Sequence, residues 1–149
     1  SAPIIERENT ILRRAQREFG RFEGRYPSSS WADSAIFYSD TISEMLVEKE
    51  FQSANYYEIV EKYESAIIYY KSIIEDYPNS KRLDEARFRI AWNLVRSNRF
   101  TEAHNFIKKV EHIPDFEDDI KRLNKTAELI KRKIEKKEAK RKKKLERKK

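Results

Sequence analysis

Apolar residues along this chain recur at spacings of three and four, the period of an α-helix, with charged residues filling most of the positions between them. The stretches over which this spacing holds predict helices at 4–24, 30–60, 63–76, 82–97 and 100–111. A final helix is predicted from near Phe116, after the loop His112-Ile113-Pro114-Asp115. Pro27, Pro78 and Pro114 fall between these stretches, where a ring that lacks an N–H donor stops a helix. With only two Gly and four Pro, the chain lacks the frequent turn signals of an all-β fold. The expected class is all-α.

The pattern repeats. Two Tyr-Pro corners, RYPSSSWADSA at 25–35 and DYPNSKRLDEA at 76–86, put Tyr26 and Tyr77 51 residues apart. Ala15, Phe19 and Phe22 precede the first corner as Ala66, Tyr70 and Ile73 precede the second. Asp33, Ala35 and Phe37 follow it as Asp84, Ala86 and Phe88 do. Each corner reads as a helix end stopped by Pro, then a new helix capped by Ser or Asp. A second offset, of 37, carries Ala54, Tyr57, Tyr63, Ala66, Tyr70 and Ile73 onto Ala91, Leu94, Phe100, Ala103, Ile107 and Val110. Small residues at the Ala positions let two helices approach closely while the large ones fill the gaps, as in the tetratricopeptide helix pair with its usual period of ~34.

The two offsets differ by 14 residues, and no Gly or Pro lies between Trp31 and Tyr77. Fourteen helical residues add roughly 21 Å and leave the apolar stripe nearly in phase. The stretch from Trp31 to about Val60 therefore reads as one overlong helix or two nearly collinear ones. The first helix matches the second helix of a repeat, so its own partner is missing and its outer face needs a cover. The expected architecture is a tetratricopeptide-like helical repeat, an α-α superhelix, over 1–115. A C-terminal helix over 116–149 runs into a basic tail.

Charge sharpens this division. Residues 121–149 hold sixteen Lys and Arg against four Glu, a net of +12, whereas residues 1–120 hold seventeen basic and twenty-two acidic residues, a net of −5. An acidic body thus carries a basic tail. Ile120, Leu123, Ala127, Ile130 and Ile134 continue the helical stripe, and beyond Ile134 only Ala139 and Leu145 are apolar. Lys136, Lys137, Lys140, Arg141, Lys142, Lys143, Lys144, Arg147, Lys148 and Lys149 are candidates for binding an anionic surface, at about 1 kcal/mol per basic residue. The plainer reading is a solvated end. With no aromatic beyond Phe116, nucleic acid is not the expected partner.

Candidate chemistry is sparse. Without cysteine there is no disulfide and no thiolate metal site. His104 and His112 stand outside metal-ligand spacing and read as surface histidines. Asp115, Glu117, Asp118 and Asp119 lack the spacing and Gly of a calcium loop and suit a helix N-terminus. No catalytic constellation assembles, so neither enzyme activity nor a cofactor is expected. For partner binding the register marks Trp92, just after the small Ala91, and its counterpart Asn55, a slot that faces the groove of tetratricopeptide proteins. Trp is enriched among residues that dominate interface energies, although the C-terminal helix is an equally good cover for it. Tyr57 and Tyr70 take core positions, leaving Tyr56 and Tyr69 for surface contact or for packing on a neighbouring repeat. The candidate groove is Asn55, Tyr56, Glu58, Tyr69, Phe88, Trp92 and Arg96.

Residues 19–106 resemble the C-terminal half of the BamD family, outer-membrane assembly lipoproteins with tetratricopeptide-like repeats. The resemblance rests on Phe19, Phe22 and Tyr26-Pro27-Ser28-Ser29, then Leu46-Val47-Glu48-Lys49-Glu50-Phe51-Gln52-Ser53-Ala54-Asn55-Tyr56-Tyr57, then Tyr77-Pro78-Asn79-Ser80. Lys-Glu-x3-Ala and the long-helix insertion are its specific parts. Tyr-Pro corners are shared with the Tol-Pal coordinator family. The resemblance implies a scaffold at the periplasmic face of an outer membrane, docked on the periplasmic part of a BamA-like insertase and on partner lipoproteins. The family's N-terminal client-recognition repeats and its lipidated cysteine are not in this sequence, and the basic extension lies outside the pattern. Two alternatives keep the fold. One is a cytoplasmic adaptor whose tail binds nucleic acid or a ribosome, and the other is a Tol-Pal-type periplasmic repeat protein.

Overall fold

The computed structural model describes the backbone of residues 2–146 and the side chains from Glu8 onward. Arg147, Lys148 and Lys149 of the candidate tail lie outside the described residues. The elements are α1 (Ala2–Arg25), α2 (Ala32–Ile59), α3 (Tyr63–Asp76), α4 (Leu83–Arg96), α5 (Phe100–Ile107), a 3-10 turn (Pro114–Phe116) and α6 (Glu117–Glu146). No strand occurs among the described residues. The overlong helix is present as one piece, the 28 residues of α2. None of the described helices is long and apolar enough to cross a membrane.

Helices α1 to α5 pack in chain order, each folding back on the one before, and α6 packs chiefly against α4. The small residues of the register are where helices meet: Ala54, Ala66, Ala86, Ala91 and Ala103 are all buried. Around them the core takes Leu46, Val47 and Phe51 from α2, Tyr70 and Ile73 from α3, Ile90 and Leu94 from α4, and Leu123 from α6. Short Cα–Cα approach at the Ala positions lets the flanking large side chains interdigitate, the close packing that makes such a core sensitive to one added methylene.

Both offsets hold in the backbone hydrogen bonds. Around the corners, Ser29 N donates to Tyr26 O and Ala32 N to Ser29 O, as Ser80 N does to Tyr77 O and Leu83 N to Ser80 O. The expected side-chain caps are absent: Trp31 and Arg82 occupy the N-cap positions without capping bonds. Ser29 and Ser80 act instead inside the corner, their hydroxyls accepting the N–H of Trp31 and Arg82. The 37-residue offset reappears in the α2–α3 and α4–α5 turns. Lys62 N reaches back to Tyr57 O and Glu61 N to Glu58 O, as Arg99 N does to Leu94 O and Asn98 N to Val95 O. This is the Schellman pattern, and it puts Glu61 and Asn98 in the left-handed region at φ 57° and 63°. Glycine suits that conformation without a Cβ clash. Glu61→Gly is therefore expected to stabilise the fold by about 0.5–1 kcal/mol, read as a higher urea midpoint at unchanged slope, because its exposed side chain gives up only a 3.7 Å surface pair with Arg96.

Helix α5 stops at Ile107 rather than near Glu111. From Lys109 the backbone tightens into i→i+3 bonds (Lys109 N to Phe106 O, Val110 N to Ile107 O), which turn Val110 under the core. At the other end, α1 lies on α2 through Arg13–Glu50, Gln16–Ser43 and Lys49–Glu8. The first corner and the start of α2 are less covered than the second corner and α4. Tyr26 and Phe37 are 52% and 65% exposed, whereas their counterparts Tyr77 and Phe88 are 4% and 7% exposed.

Glu50 sits in the α1–α2 contact, its side chain 15% exposed. Burial raises its carboxyl above the ordinary value, and Arg13 and the Ser72 hydroxyl offset this only in part. A carboxyl whose pKa rises on folding favours the fold in acid, and that contribution is lost as pH climbs through the folded value. Glu50→Gln is thus expected to raise the melting temperature slightly at pH 7, by the equivalent of about 0.5 kcal/mol, and to lose that advantage near pH 4. A loss of stability at pH 7 would mean that the Arg13 pair outweighs burial.

Candidate partner-binding groove

A groove of two adjoining sections runs along α4, the first between α4 and α2 over Tyr70 of α3 and the second between α4, the 3-10 turn and the start of α6. Its first section, about 200 Å³, is lined by Glu48, Phe51, Gln52 and Asn55 of α2, by Arg82 at the N-cap of α4, by Glu85 and Arg89 of α4, and by Tyr70 of α3. Its second section, about 330 Å³, shares Glu85 and Arg89 and continues along Phe88 and Trp92 to Phe116, Asp119 and Arg122. Positions 82, 85, 89 and 92 are three and four apart, so a single stripe of α4 supplies the shared floor.

Charged residues in the groove are held in pairs. The Arg82 guanidinium lies over the Phe51 ring, 3.5 Å from its centroid, and bonds Glu48 of α2 and Glu85 of α4. Its partial burial is outweighed by those bonds, which hold it still more firmly protonated. Arg89 pairs with Glu58 at 3.2 Å, and Glu58 also accepts the Tyr70 hydroxyl at 3.0 Å. Burial, reinforced by that carboxylate, pushes the Tyr70 phenol well above its usual range. These links tie α2, α3 and α4 together along the groove.

The structure places the seven sequence candidates differently. Asn55 and Trp92 line the groove, and Tyr56 beside Asn55 is exposed. Trp92 is half-buried and tilted against Phe88, at 6.4 Å between ring centroids. Phe88 is a correction: it is buried, and Phe116 stacks on it at 5.5 Å, so it supports the wall of the groove. Glu58 is likewise a structural acceptor, its side chain 11% exposed between Tyr70 and Arg89. Tyr69 takes the packing alternative, stacked on Tyr57 at 5.3 Å and away from the groove, while Tyr57 is only half-buried. Arg96 stands at the exposed end of α4, donating to the Tyr63 hydroxyl.

Sequence reasoning missed Glu48, Gln52, Arg82, Glu85, Arg89, Asp119 and Arg122. The 3–4 spacing of charged residues on α4 was the available signal. His104 and His112 are exposed, and Glu117, Asp118 and Asp119 pair with Lys121 and Arg122 of their own helix. Among the described residues no group of three His, Cys, Asp or Glu is placed to hold a metal ion.

A protein-family model described as YfiO, outer membrane lipoprotein, matches residues 2–107. The match takes in all of α1 to α5 and stops before the 3-10 turn and α6. No curated protein matches the chain.

Proposed function

The chain belongs to the YfiO family of outer membrane lipoproteins, and from that premise we propose that it is a non-enzymatic scaffold of BamD type in the β-barrel assembly machinery. It works at the periplasmic face of the outer membrane, as part of a lipoprotein. It holds the periplasmic domain of a BamA-like insertase and partner lipoproteins in fixed geometry. The observation that carries this reading is the groove along α4, bounded by α2 on one section and by the start of α6 on the other. It is preformed, its charges are mutually paired, and it exposes Asn55 and part of Trp92, with Tyr56 exposed beside Asn55.

Such a surface suits a polypeptide. Two adjoining sections accommodate an extended or helical segment, whose polar groups meet alternating Arg and Glu while an apolar side chain packs on Trp92. The long helix and the Lys-Glu-x3-Ala segment that support the BamD-type reading run straight into the groove. Lys49 and Glu50 tie α2 to α1, and Ala54 lets α3 approach, so that Asn55 and Tyr56 are presented on the far side.

The test is capture from detergent-solubilised membranes. The intact protein is expected to recover a BamA-like insertase, and Tyr56→Ala to recover much less. That substitution should leave the melting temperature within about 1 °C, because Tyr56 is 61% exposed. Ribosomal or nucleic-acid-binding proteins in place of the insertase would favour the cytoplasmic adaptor and overturn the proposal.

A further inference from the structure

Helix α6 continues well past the part of it that packs. Leu123 is fully buried, Ile120, Ala127 and Ile130 are partly buried against the core, and Lys131 lies over the Phe100 ring. From Glu135 to Glu146 every residue is exposed, yet the helix runs on unbroken. Lys, Arg, Glu and Ala all favour helix, and cations at its C-terminal end complement the macrodipole.

A continuous helix sorts these charges by direction. At 100° per residue, Lys125, Lys133, Lys136, Lys140, Lys143 and Lys144 fall within an arc of about 100°. The docked stripe of Ile120, Leu123, Ala127, Ile130 and Ile134 lies about 130° away from the centre of that arc. Glu128, Glu135, Glu138 and Glu146 lie about 110–170° from that centre. The helix therefore presents a basic face turned away from its glutamates and from the repeats.

Among the described residues no carboxylate pairs with this face. In the repeats, arginines are matched by carboxylates on neighbouring helices, as in Arg13–Glu50, Arg82–Glu48, Arg89–Glu58 and Arg99–Glu64. In α6 the ion pairs with described residues end at Lys131–Glu128. We propose that the free basic face of α6 lies flat on the phosphate headgroups of an anionic lipid surface, with the net-acidic repeats directed away from it. This goes beyond the scaffold function and does not depend on it. Three observations select a lipid surface. The face is straight and long, about 30 Å from Lys125 to Lys144. It carries no aromatic ring on which a nucleic-acid base would stack. The family it belongs to is one of outer membrane lipoproteins.

Binding of the full chain to vesicles tests this. Two compositions serve: phosphatidylcholine alone, and phosphatidylcholine with 30% phosphatidylglycerol. Binding is expected only with phosphatidylglycerol, and it should fall steeply between low and physiological salt as the Debye length shrinks to about 8 Å. Lys136→Glu with Lys140→Glu, on the face, is expected to weaken binding more than tenfold, at roughly fivefold per basic residue lost from near the surface. Arg141→Glu with Lys142→Glu makes the same change in net charge away from the face and is expected to keep most of the binding. Both pairs are exposed, so the melting temperature should not move in either variant. Equal loss in the two variants would reduce the face to a charged end and overturn the proposal. So would tighter binding to a DNA duplex than to the anionic vesicles at the same salt, or no vesicle binding at all.

Discussion

Replacing Leu123 by Ala is expected to cost about 2–3 kcal/mol and to lower the melting temperature by about 5–10 °C. Leu123 is the one fully buried side chain that α6 contributes among the described residues. Its removal takes away both the transferred apolar surface and the contacts around the cavity it leaves. The loss sits at the low end for a buried leucine because α6, packed chiefly against α4, can shift to close part of that space. The same substitution should loosen the Phe88–Phe116 stack and change the fluorescence of Trp92, which shares that section of the groove. A parent-like melt would show that α6 does not dock on the repeats.

The second large effect is expected at the register itself. Ala66 is fully buried where α3 meets its neighbours, with Phe51 and Tyr70 in edge contact close by. Ala66→Leu should overpack this contact and destabilise by about 1–3 kcal/mol, and Ala103→Leu should do the same one repeat later. The two sites lie 37 residues apart in equivalent turns, so their losses should be similar and should nearly add in the double variant. Thermal melts of the three variants check this. Melts unchanged from the parent would mean that the Ala positions do not mark the close approaches.

The helices were legible in the sequence because long periodic stretches bounded by Pro leave little choice. The 51- and 37-residue offsets fixed which residues are equivalent, and the hydrogen bonds of the corners and turns repeat at those intervals. The cap chemistry was not legible. A Ser near a helix start reads as a cap, but after Tyr-Pro the chain makes two tight turns, and the hydroxyls of Ser29 and Ser80 close the corner instead. Nor did anything mark Glu61 and Asn98 as left-handed, since the usual glycine is absent at both.

The groove was half legible for a related reason. Periodicity gives the direction of a side chain but not the depth at which it ends. Asn55 and Trp92 line the groove, while Phe88 and Glu58 lie beneath Phe116 and Arg89. Arg82 and Arg89 look like ordinary solvated residues until α2 is known to face α4. Only then do Glu48 and Glu58 become their partners. In the tail, composition gave the charge but could not give the face, which depends on the helix continuing to Glu146.

The most direct test of the central claim is a binding titration of the purified full chain with the isolated periplasmic domain of a BamA-like insertase from the same organism. Saturable one-to-one binding is expected. Asn55→Arg, which sets a large cation in the first section of the groove, should weaken it at least tenfold without lowering the melting temperature. Lys136→Glu with Lys140→Glu should leave it unchanged, which separates the groove from the tail. Absence of saturable binding, or binding that Asn55→Arg leaves intact, would contradict the account.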